Sequence, residues 1–417
     1  MSLEWIDVEL KDVLSEKGYI RGPFGSALKR NEMKSEGIPV YEQQNAIYDN
    51  REFRYFIDEE KYKTLERFTT KTDDLIISCS GTVGKVSIIK EEDPKGIISQ
   101  ALLTLRVNKE LILPEFLKYF FSSYEGYNSL VSRSTGSVQV NISKRAVIEQ
   151  IPLKLPPLSV QEKIVHYLSL IDKKISINTQ INHNLDKTIR ELYNSWFVDF
   201  LPFQNQEFKD TYMGKIPNEW EIKNLDEICD KISDSYKPDS EEVVLIQTSD
   251  VSKGIVLNHE KVPNDDYKGH FKYKFEKNDI LYTQIRPKNE RYAFINFDPI
   301  NYVASTQLMV LRAKSGIIPP YILYLFLTSR DMIMEVNLLA ESRSGTFPQI
   351  NFNEIKHEKV IVAPFKVYES FWNIIRSLVE KKFINDDEII KLTQLRDILL
   401  PKLMSGEIDV SQINCDL

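Results

Sequence analysis

An internal duplication is the feature of this sequence that most restricts its fold. Segments of the first half return in the same order in the second half, with a period of about 207 residues. EWIDVELKDVL returns as EWEIKNLDEIC, DDLII as NDILY, SQALL as TQLMV, ILPEFLKYFFSS as IPPYILYLFLTS, and TGSVQVNI as SGTFPQINF. Residues 19–70 and 230–277 differ strongly between the copies. The sequence therefore predicts two units with one scaffold and different surfaces.

Each copy combines β-branched runs with one apolar helical segment in its middle. The runs are LIISCS, KVSIIK and ALLTLRV in the first copy, and VVLIQTS, DILYTQI and LMVLRA in the second. Such runs, bounded by turn residues, indicate strands. One helix is predicted near residues 114–131 and one near 319–337. The predicted fold class is α+β, with two pseudo-repeated α/β domains.

Each copy ends in a long helical pattern that begins beside prolines. The first runs from Pro156 to about Phe200, and the second from Pro364 to about Met404, where a Ser-Gly pair predicts the stop. Apolar residues recur at alternating gaps of four and three, which predicts that the two helices wrap around each other as an antiparallel coiled coil. A long core helix of a globular domain is the alternative interpretation.

Two asparagines interrupt the apolar seam near the middle of both helices. Asn178 and Asn385 occupy equivalent positions, and a buried asparagine fixes the register of a coiled coil at some cost in stability. In an antiparallel pair these two side chains are expected to hydrogen-bond each other. The predicted parts of the chain are residues 1–155 (first domain), 156–201 (central helix), 202–363 (second domain), 364–404 (C-terminal helix) and 405–417 (tail).

Composition excludes several classes of protein. The formal net charge of −7 is unusual for a nucleic-acid binder, although residues 133–145 and 268–277 are locally basic. No apolar run is long enough to cross a membrane and the N-terminus lacks the features of a signal peptide, so a cytoplasmic location is expected. Cys79, Cys229 and Cys415 lie far apart and predict unpaired thiols, not a disulfide or zinc site.

The ordered features together resemble the specificity subunit of type I restriction-modification systems. These features are the Trp-led segment, the variable region, the TGSVQVNIS loop, the PPLSVQEKIV segment and the long helix, and they span essentially the whole chain. The resemblance implies two target-recognition domains, residues 1–155 and 202–363, each contacting one half of a bipartite double-stranded DNA site. It further implies that the helices bind two modification (methyltransferase) subunits, and that a restriction (endonuclease and translocase) subunit joins through the complex. S-adenosylmethionine, ATP and magnesium would be bound by those partners and no cofactor by this chain.

No pattern for catalysis or metal binding is found in the sequence. The segment from Gly81 to Lys85 is too short for a GxxxxGK[ST] phosphate loop, and LPPL lacks the polar first residue of an Asn-Pro-Pro-aromatic segment. The five histidines form no closely spaced pair. We therefore expect a non-enzymatic subunit with no catalytic or metal-ligating residue. A two-headed scaffold for a non-DNA ligand, or a DNA-acting enzyme in its own right, are the alternatives.

The candidate DNA contacts are cations, which suit phosphates, and Arg, Asn, Gln and hydroxyl side chains, which suit base edges. In the first domain they are Arg21, Ser26, Lys29, Arg30, Gln43, Gln44, Asn45, Ser80, Thr82, Lys85, Arg133, Thr135, Ser137, Gln139, Asn141 and Lys144. In the second domain they are Gln247, Thr248, Ser249, Asp250, Lys268, Lys272, Lys274, Lys277, Gln284, Arg286, Lys288, Arg291, Arg343, Ser344, Thr346, Gln349 and Asn351.

Comparison of the candidate contacts in the two domains predicts one shared role and one that differs. Residues 133–144 recur chemically in 343–351, which predicts phosphate contacts common to both domains. YTQIRPKN replaces SCSGTVGK at an equivalent position, which predicts different DNA targets. Ordinary turns remain the alternative interpretation for QQN and for SCSGTVGK.

Overall fold

The computed structural model describes residues 5–133, 140–264, 269–343, 348–411 and 413. The chain forms two units, Met1–Ser176 with Ile389–Leu417, and Ile177–Glu388. The boundary falls within both long helices, so each unit contains a part of each. The five predicted parts have their boundaries at helix ends instead, and they separate the globular regions from the helices.

The first unit is built from eleven described strands, six short helices and parts of the two long ones. Its strands are β1 Ile6–Glu9, β2 Leu14–Arg21, β3 Ile38–Tyr41, β4 Phe56–Ile57, β5 Leu75–Ser78, β6 Val86–Ile88, β7 Ile97–Ile98, β8 Leu102–Val107, β9 Val131–Arg133, β10 Val140–Ile142 and β11 Pro152–Leu155. Its helices are α1 Leu10–Val13, α2 Gln43–Ile47, α3 Glu59–Thr64, α4 Pro114–Ser122, α5 Tyr124–Leu130 and α6 Arg145–Glu149, followed by the long helix α7 Leu158–Phe197.

The second unit continues from α7 and ends in the second long helix. Its strands are β12 Phe208–Thr211, β13 Gly214–Pro217, β14 Glu221–Asn224, β15 Cys229–Ile232, β16 Glu242–Ile246, β17 Val251–Ser252, β18 Ile255–Val256, β19 Val262–Pro263, β20 Phe271–Tyr273, β21 Ile280–Thr283, β22 Tyr292–Phe294, β23 Tyr302–Ser305, β24 Leu308–Ala313 and β25 Lys359–Val362. Its helices are α8 Leu225–Ile228, α9 Pro320–Leu327, α10 Arg330–Arg343, α11 Phe352–Ile355 and α12 Phe365–Met404.

The main sheet of each unit has the same topology, which confirms the duplication. It is antiparallel, with strand order β2-β8-β5-β6 in the first unit and β15-β24-β21-β22 in the second. A smaller sheet contains a parallel pair in both units, β3 with β7 and β16 with β23. The first strand of each copy also pairs with the last, β1 with β11 and β14 with β25.

Both faces of the first main sheet are buried, which explains the continuous apolar runs in its strands. Leu75 and Ile77 pack on one side with Phe116 of α4 and Ile164 of α7. Ile76, between them in sequence, packs on the other side in a smaller cluster. The equivalent core of the second unit includes side chains of α7, α9 and α12.

A buried ion pair occurs at the same place in both main sheets. In the first unit the Arg106 guanidinium donates two hydrogen bonds of 2.7 Å to Asp74, which is fully buried. Arg312 binds Asp279 in the same bidentate way, also at 2.7 Å. Such agreement between side chains shows that the copies share a scaffold and not only a strand order.

The long helices pack antiparallel within each unit, as predicted. In the first unit, Asp172 of α7 accepts a 3.2 Å hydrogen bond from Arg396 of α12, and Lys163, nine residues earlier in α7, donates to the carbonyl of Ser411, beyond the end of α12. In the second unit the Asn182 side chain contacts Asn385, and Phe197, later in α7, packs edge-on against Phe371, earlier in α12.

The predicted hydrogen bond between Asn178 and Asn385 is wrong. Both side chains are buried, but Asn385 donates to Asn182 Oδ1 at 2.9 Å and Asn178 donates to Glu388 at 2.8 Å. The contact is displaced by about one helical turn from the predicted one. In this register Asn182 also donates to Asp386 at 2.7 Å, so the amide nitrogens of all three asparagines have acceptors.

Each predicted middle helix is in fact two helices. The first breaks at Ser123, whose hydroxyl accepts a 3.1 Å hydrogen bond from the Gly126 N–H and so caps α5. The second breaks before Arg330, where the Ser329 hydroxyl accepts from the Met332 N–H at 3.3 Å. A serine N-cap favours a new helix start over continuation. Among the described residues, no helix is both long and apolar enough to span a membrane.

Candidate nucleic-acid interface

In the first unit, several predicted contact residues meet around the loop that joins β5 to β6. Ser80, Thr82 and Lys85 are exposed in this loop. Gln43 approaches it closely, because a Cβ added to Gly81 would lie 3.5 Å from the Gln43 amide nitrogen. The guanidinium of Arg21 lies beside Cys79, at the start of the same loop. The structure thus brings three separate sequence segments together.

The β9–β10 hairpin begins next to this loop. Gly84 has a φ of +81°, and a Cβ there would meet Tyr127 at 2.9 Å and Val131, the first residue of β9, at 3.2 Å. Only glycine fits such a position without displacement of its neighbours. Lys144, which follows the hairpin, is exposed. The start of β9 is therefore joined to the glycine-rich loop by local packing.

The segment that follows β2 forms a cationic loop with an exposed aromatic ring. Phe24 is 66% exposed, and the Arg21 guanidinium carbon lies 5.7 Å from the centre of its ring. Lys29 is exposed, and Arg30 donates a 3.2 Å hydrogen bond to the Tyr55 hydroxyl. Phe24 was not among the predicted contacts, because a lone phenylalanine in a sequence is more often part of a core.

The prediction that Asn45 contacts DNA is wrong. Asn45 is fully buried, its amide nitrogen donates to the Glu52 carbonyl at 3.0 Å, and its amide oxygen accepts from the Glu42 N–H at 2.7 Å. Gln44 also donates to the Glu52 carbonyl, at 3.1 Å. Asn45 therefore holds the following loop against α2. The QQN sequence does not reveal this, since the inward direction is set by the fold.

Some predicted contacts fall outside the described part of the chain. They are Thr135, Ser137, Gln139, Lys268, Ser344 and Thr346. For Ser26, Arg133, Asn141 and Arg343 the backbone is described but the side chain is not.

In the second unit, the loop after β21 is bound to the segment before α11. The Ile350 N–H donates to the Gln284 carbonyl at 2.8 Å, and the Arg286 N–H donates to the Pro348 carbonyl at 3.0 Å. Arg286 and Gln349 are exposed in this arrangement. Two segments that lie more than sixty residues apart thus form one surface.

The turn before β17 is held to the same side of the unit by Arg291. Its guanidinium donates to the carbonyls of Ser249 and Val251, both at 3.4 Å. The Asp250 carboxylate accepts from the Gln247 N–H at 2.9 Å, which closes the turn that also contains Thr248. Asp250 is thus a capping residue. The structure gives the Asp250 carboxylate this role within the turn and not the predicted contact with DNA.

Other predicted residues of the second unit also have partners within the protein. The Asn351 side chain caps α11 by accepting from the Asn353 N–H at 3.0 Å, and Gln284 donates to the Thr306 carbonyl at 2.7 Å. Lys288 pairs with Glu341 at 3.2 Å and Lys274 with Glu276 at 3.3 Å. These lysine pairs are exposed and therefore weak. Lys272 and Lys277 are exposed as predicted.

Each unit also contains a cleft between its globular part and its long helices. The cleft of the first unit, of about 680 Å³, includes Lys85, Tyr124 and Asp172, and the Tyr119 hydroxyl donates to Asp172 there at 2.8 Å. Burial and this carboxylate raise the pKa of Tyr119, so the hydroxyl stays protonated. The cleft of the second unit, of about 510 Å³, lies where Arg190 of α7 donates to the Thr328 carbonyl at 3.0 Å. Sequence reasoning did not identify either cleft.

Neither a metal-binding cluster nor a reactive thiol is found among the described residues. No group of three or more His, Cys, Asp or Glu side chains there could hold a metal ion. Cys79 and Cys229 are buried free thiols. Burial raises the pKa of Cys79 to about 11 and that of Cys229 to about 12, so neither is a reactive thiolate at neutral pH.

Comparison with known proteins gives a consistent set of similarities. The profile of the type I restriction modification DNA specificity domain matches residues 3–187 and 217–394 of this chain. The type I restriction enzyme MjaIX specificity subunit of Methanocaldococcus jannaschii is 25% identical over 426 residues, covering 98% of this chain and 95% of that protein. The type I restriction enzyme HindI specificity subunit of Haemophilus influenzae is 34% identical over 183 residues, 44% of this chain and 40% of that protein.

A solved structure shares the fold over nearly the whole chain. The crystal structure of the type I restriction-modification system S subunit from M. genitalium matches with a TM-score of 0.57 and 16% sequence identity. The match covers 97% of this chain and 96% of that chain.

Proposed function

This chain belongs to the type I restriction-modification DNA specificity family, and we propose that it determines the DNA target of such a complex. Each unit contacts one half of a bipartite duplex site through the loops at the end of its main sheet. The chain itself carries out no chemistry. S-adenosylmethionine, ATP and magnesium are bound by the partner subunits. The proposed place of action is the cytoplasm, where host DNA lies.

One observation supports the two-part target above all others. The scaffolds of the units agree down to the Asp74–Arg106 and Asp279–Arg312 ion pairs, yet the loops that follow β5 and β21 differ completely. The first is rich in glycine and hydroxyl groups, whereas the second presents Arg286. Different side chains on one scaffold favour two different half-sites, since base edges are distinguished by the side chains that contact them.

The net negative charge of the chain is compatible with this function because the candidate loops are locally basic. Contacts to phosphates release counterions, so binding is expected to weaken steeply as salt rises. With a formal net charge of −7, the isolated chain is expected to bind DNA weakly. Addition of the modification subunit should raise the affinity.

The helices are the proposed binding surface for two modification subunits, and a restriction subunit joins through the complex. Several apolar side chains of the helices are exposed, including Ile398 in the first unit (60%) and Ile384 in the second (60%). Several exposed apolar side chains along one helix, unlike a single one, favour contact with another protein. Ile398→Glu and Ile384→Glu are each expected to weaken copurification with the modification subunit. Val147→Glu, at an exposed apolar residue of α6, is the matched control and should not.

The main experiment is a map of methylated adenines in DNA from cells that express this chain with its modification subunit. The expected result is a single split motif with a gap of fixed length. Replacement of residues 1–155 by those of another family member should then change one half of the motif only, because both long helices stay unchanged.

Three results would contradict the proposal. An assembled complex that methylates no recurring motif would favour a scaffold for another ligand. A chimera that alters both halves would contradict the assignment of one half to each unit. DNA cleavage by the purified chain with magnesium alone would show that it is an enzyme in its own right.

A further inference from the structure

Three buried polar atoms without a hydrogen-bond partner lie at one edge of the first unit. Among the described residues of this unit, such side-chain atoms are Arg21 Nη1, Gln43 Oε1 and Ser99 Oγ. Arg21 ends β2, Gln43 follows β3 by two residues, and Ser99 follows β7 directly. Buried polar atoms are nearly always paired, because an unpaired one loses its hydration without compensation. Three at one edge require a common explanation.

Backbone contacts place these strand ends beside one another. The Ser99 N–H donates to the Tyr41 carbonyl at 2.8 Å, which joins the ends of β7 and β3. A Cβ added to Gly22 would lie 1.9 Å from the Ser99 carbonyl oxygen, so the chain leaving Arg21 passes directly over Ser99. Gln43 and Arg21 both border the loop between β5 and β6, as described above. The three atoms therefore belong to one edge of the protein.

The surroundings of Arg21 differ from those of the structural arginine in the same sheet. Arg106 donates two hydrogen bonds to the buried carboxylate of Asp74 and a third, of 3.4 Å, to the Thr69 carbonyl. The Arg21 guanidinium contacts the Cys79 sulfur. Burial raises the pKa of this thiol to about 11, so the thiol is neutral and does not compensate the guanidinium charge. Phe24 lies near the guanidinium and is itself largely exposed. A cation held in this way is suited to an external acceptor.

On the basis of the proposed DNA function, we propose that Arg21 and Gln43 contact base edges in the half-site of the first unit. Ser99 lies beside them and supplies a further hydroxyl, a residue that the sequence did not indicate. The exposed cations Lys29 and Lys85 contact phosphates instead. This division separates the residues that determine sequence preference from those that supply affinity.

The chemistry of the unpaired atoms limits the bases they can contact. Arginine donates to the O6 and N7 acceptors of guanine, and a glutamine amide pairs with the N6 and N7 groups of adenine. The free Oε1 of Gln43 is an acceptor, so it suits an exocyclic amino group. Both residues are half-buried, and a change of side-chain torsion is needed to present these atoms to a base.

The experiment compares methylation maps of variants in the complex with the modification subunit. Arg21→Met and Gln43→Met remove the polar groups and keep most of the side-chain volume. Each is expected to relax the motif at one position of the same half, with discrimination at that position reduced roughly 5- to 150-fold. The other half and the gap should stay unchanged. Lys85→Met is the matched control, which should lower methylation at all sites without changing the motif.

The result that would overturn the inference is an unchanged motif with uniformly lower methylation for Arg21→Met, because that is the behaviour of a phosphate contact or a structural residue. Changes in different halves for Arg21→Met and Gln43→Met would also overturn it. If the complex with Arg21→Met fails to assemble, Arg21→Gln replaces it. Arg21→Gln keeps a hydrogen-bond donor and should change the preferred base at the affected position. Failure of both variants to assemble assigns Arg21 to the core. A wild-type complex without any motif would instead reject the proposed function itself.

Discussion

Replacement of Arg106 by methionine tests how the shared scaffold is held together. Arg106 donates two hydrogen bonds of 2.7 Å to Asp74, and only 25% of the arginine side chain and none of the aspartate is exposed. Methionine keeps the aliphatic part of the side chain and removes the charge. The variant therefore leaves a buried carboxylate without its counterion.

The expected loss of stability follows from these contacts. Removal of one partner from a buried ion pair costs about 3–5 kcal/mol, because the remaining charge is uncompensated. Asp74 keeps one hydrogen bond, from the Lys71 N–H at 2.8 Å. We therefore expect Arg106→Met to lower the free energy of unfolding by about 2–4 kcal/mol at pH 7.

The loss should depend on pH in a defined direction. Without Arg106 the main influence that lowers the pKa of Asp74 is gone, and burial raises that pKa above its unfolded value. A group whose pKa is raised by folding favours the folded state at low pH. The destabilisation should thus be full at pH 7 and fade as the pH falls toward the unfolded pKa of about 4.

Urea unfolding of the full-length chain, followed by far-ultraviolet circular dichroism, measures this effect. Lys109→Met is the matched control, since Lys109 pairs with the neighbouring Asp73 but is 61% exposed. It should cost no more than about 1 kcal/mol. The reasoning is refuted if Arg106→Met costs as little as Lys109→Met, or if its effect grows as the pH falls.

Three further predictions concern other parts of the chain. Lys382→Met should lower the free energy of unfolding by about 2 kcal/mol in urea, because the nearly buried Asp386 carboxylate loses its 3.1 Å ion pair with Lys382. No change would show that the hydrogen bond from Asn182 alone compensates this carboxylate. Trp220→Ala should cost about 3–5 kcal/mol in the same assay, since the Trp220 side chain is 1% exposed and packed against aromatic rings. A loss below about 1 kcal/mol would mean that the surrounding side chains fill the space left by the indole ring. Lys85→Met should reduce the slope of log affinity against log salt for DNA binding by the complex by about 0.9, and an unchanged slope would remove Lys85 from the phosphate contacts.

The repeat made the architecture predictable from the sequence. Matched segments in one order imply matched strands, and the sheets of both units have the same order of strands. The long helices were also predictable from the sequence, because a sustained heptad-like period is typical of helices that pack along their length. The helices occur at Leu158–Phe197 and Phe365–Met404, close to the predicted ranges of 156–201 and 364–404.

The binding surface was only partly predictable. The sequence gives the chemical type of each side chain but not whether that side chain points into the core or toward the surface. Arg21 and Gln43 lie at the proposed interface, whereas Asn45, two residues after Gln43, points inward with all its hydrogen-bonding groups occupied. Ser99 and Phe24 were missed for the same reason, since nothing in their local sequence marks them as exposed or unpaired.

The sequence by itself determined that this chain has two copies of one scaffold and two long paired helices. Both follow from periodicity, which is a property of the order of residues and needs no knowledge of distant contacts. Tertiary structure decided the register of the helices, in which Asn385 meets Asn182 and not Asn178. It also decided which polar side chains face outward at the strand ends. These outcomes depend on contacts between residues far apart in the chain, where the position of one group is set by the packing of all the others.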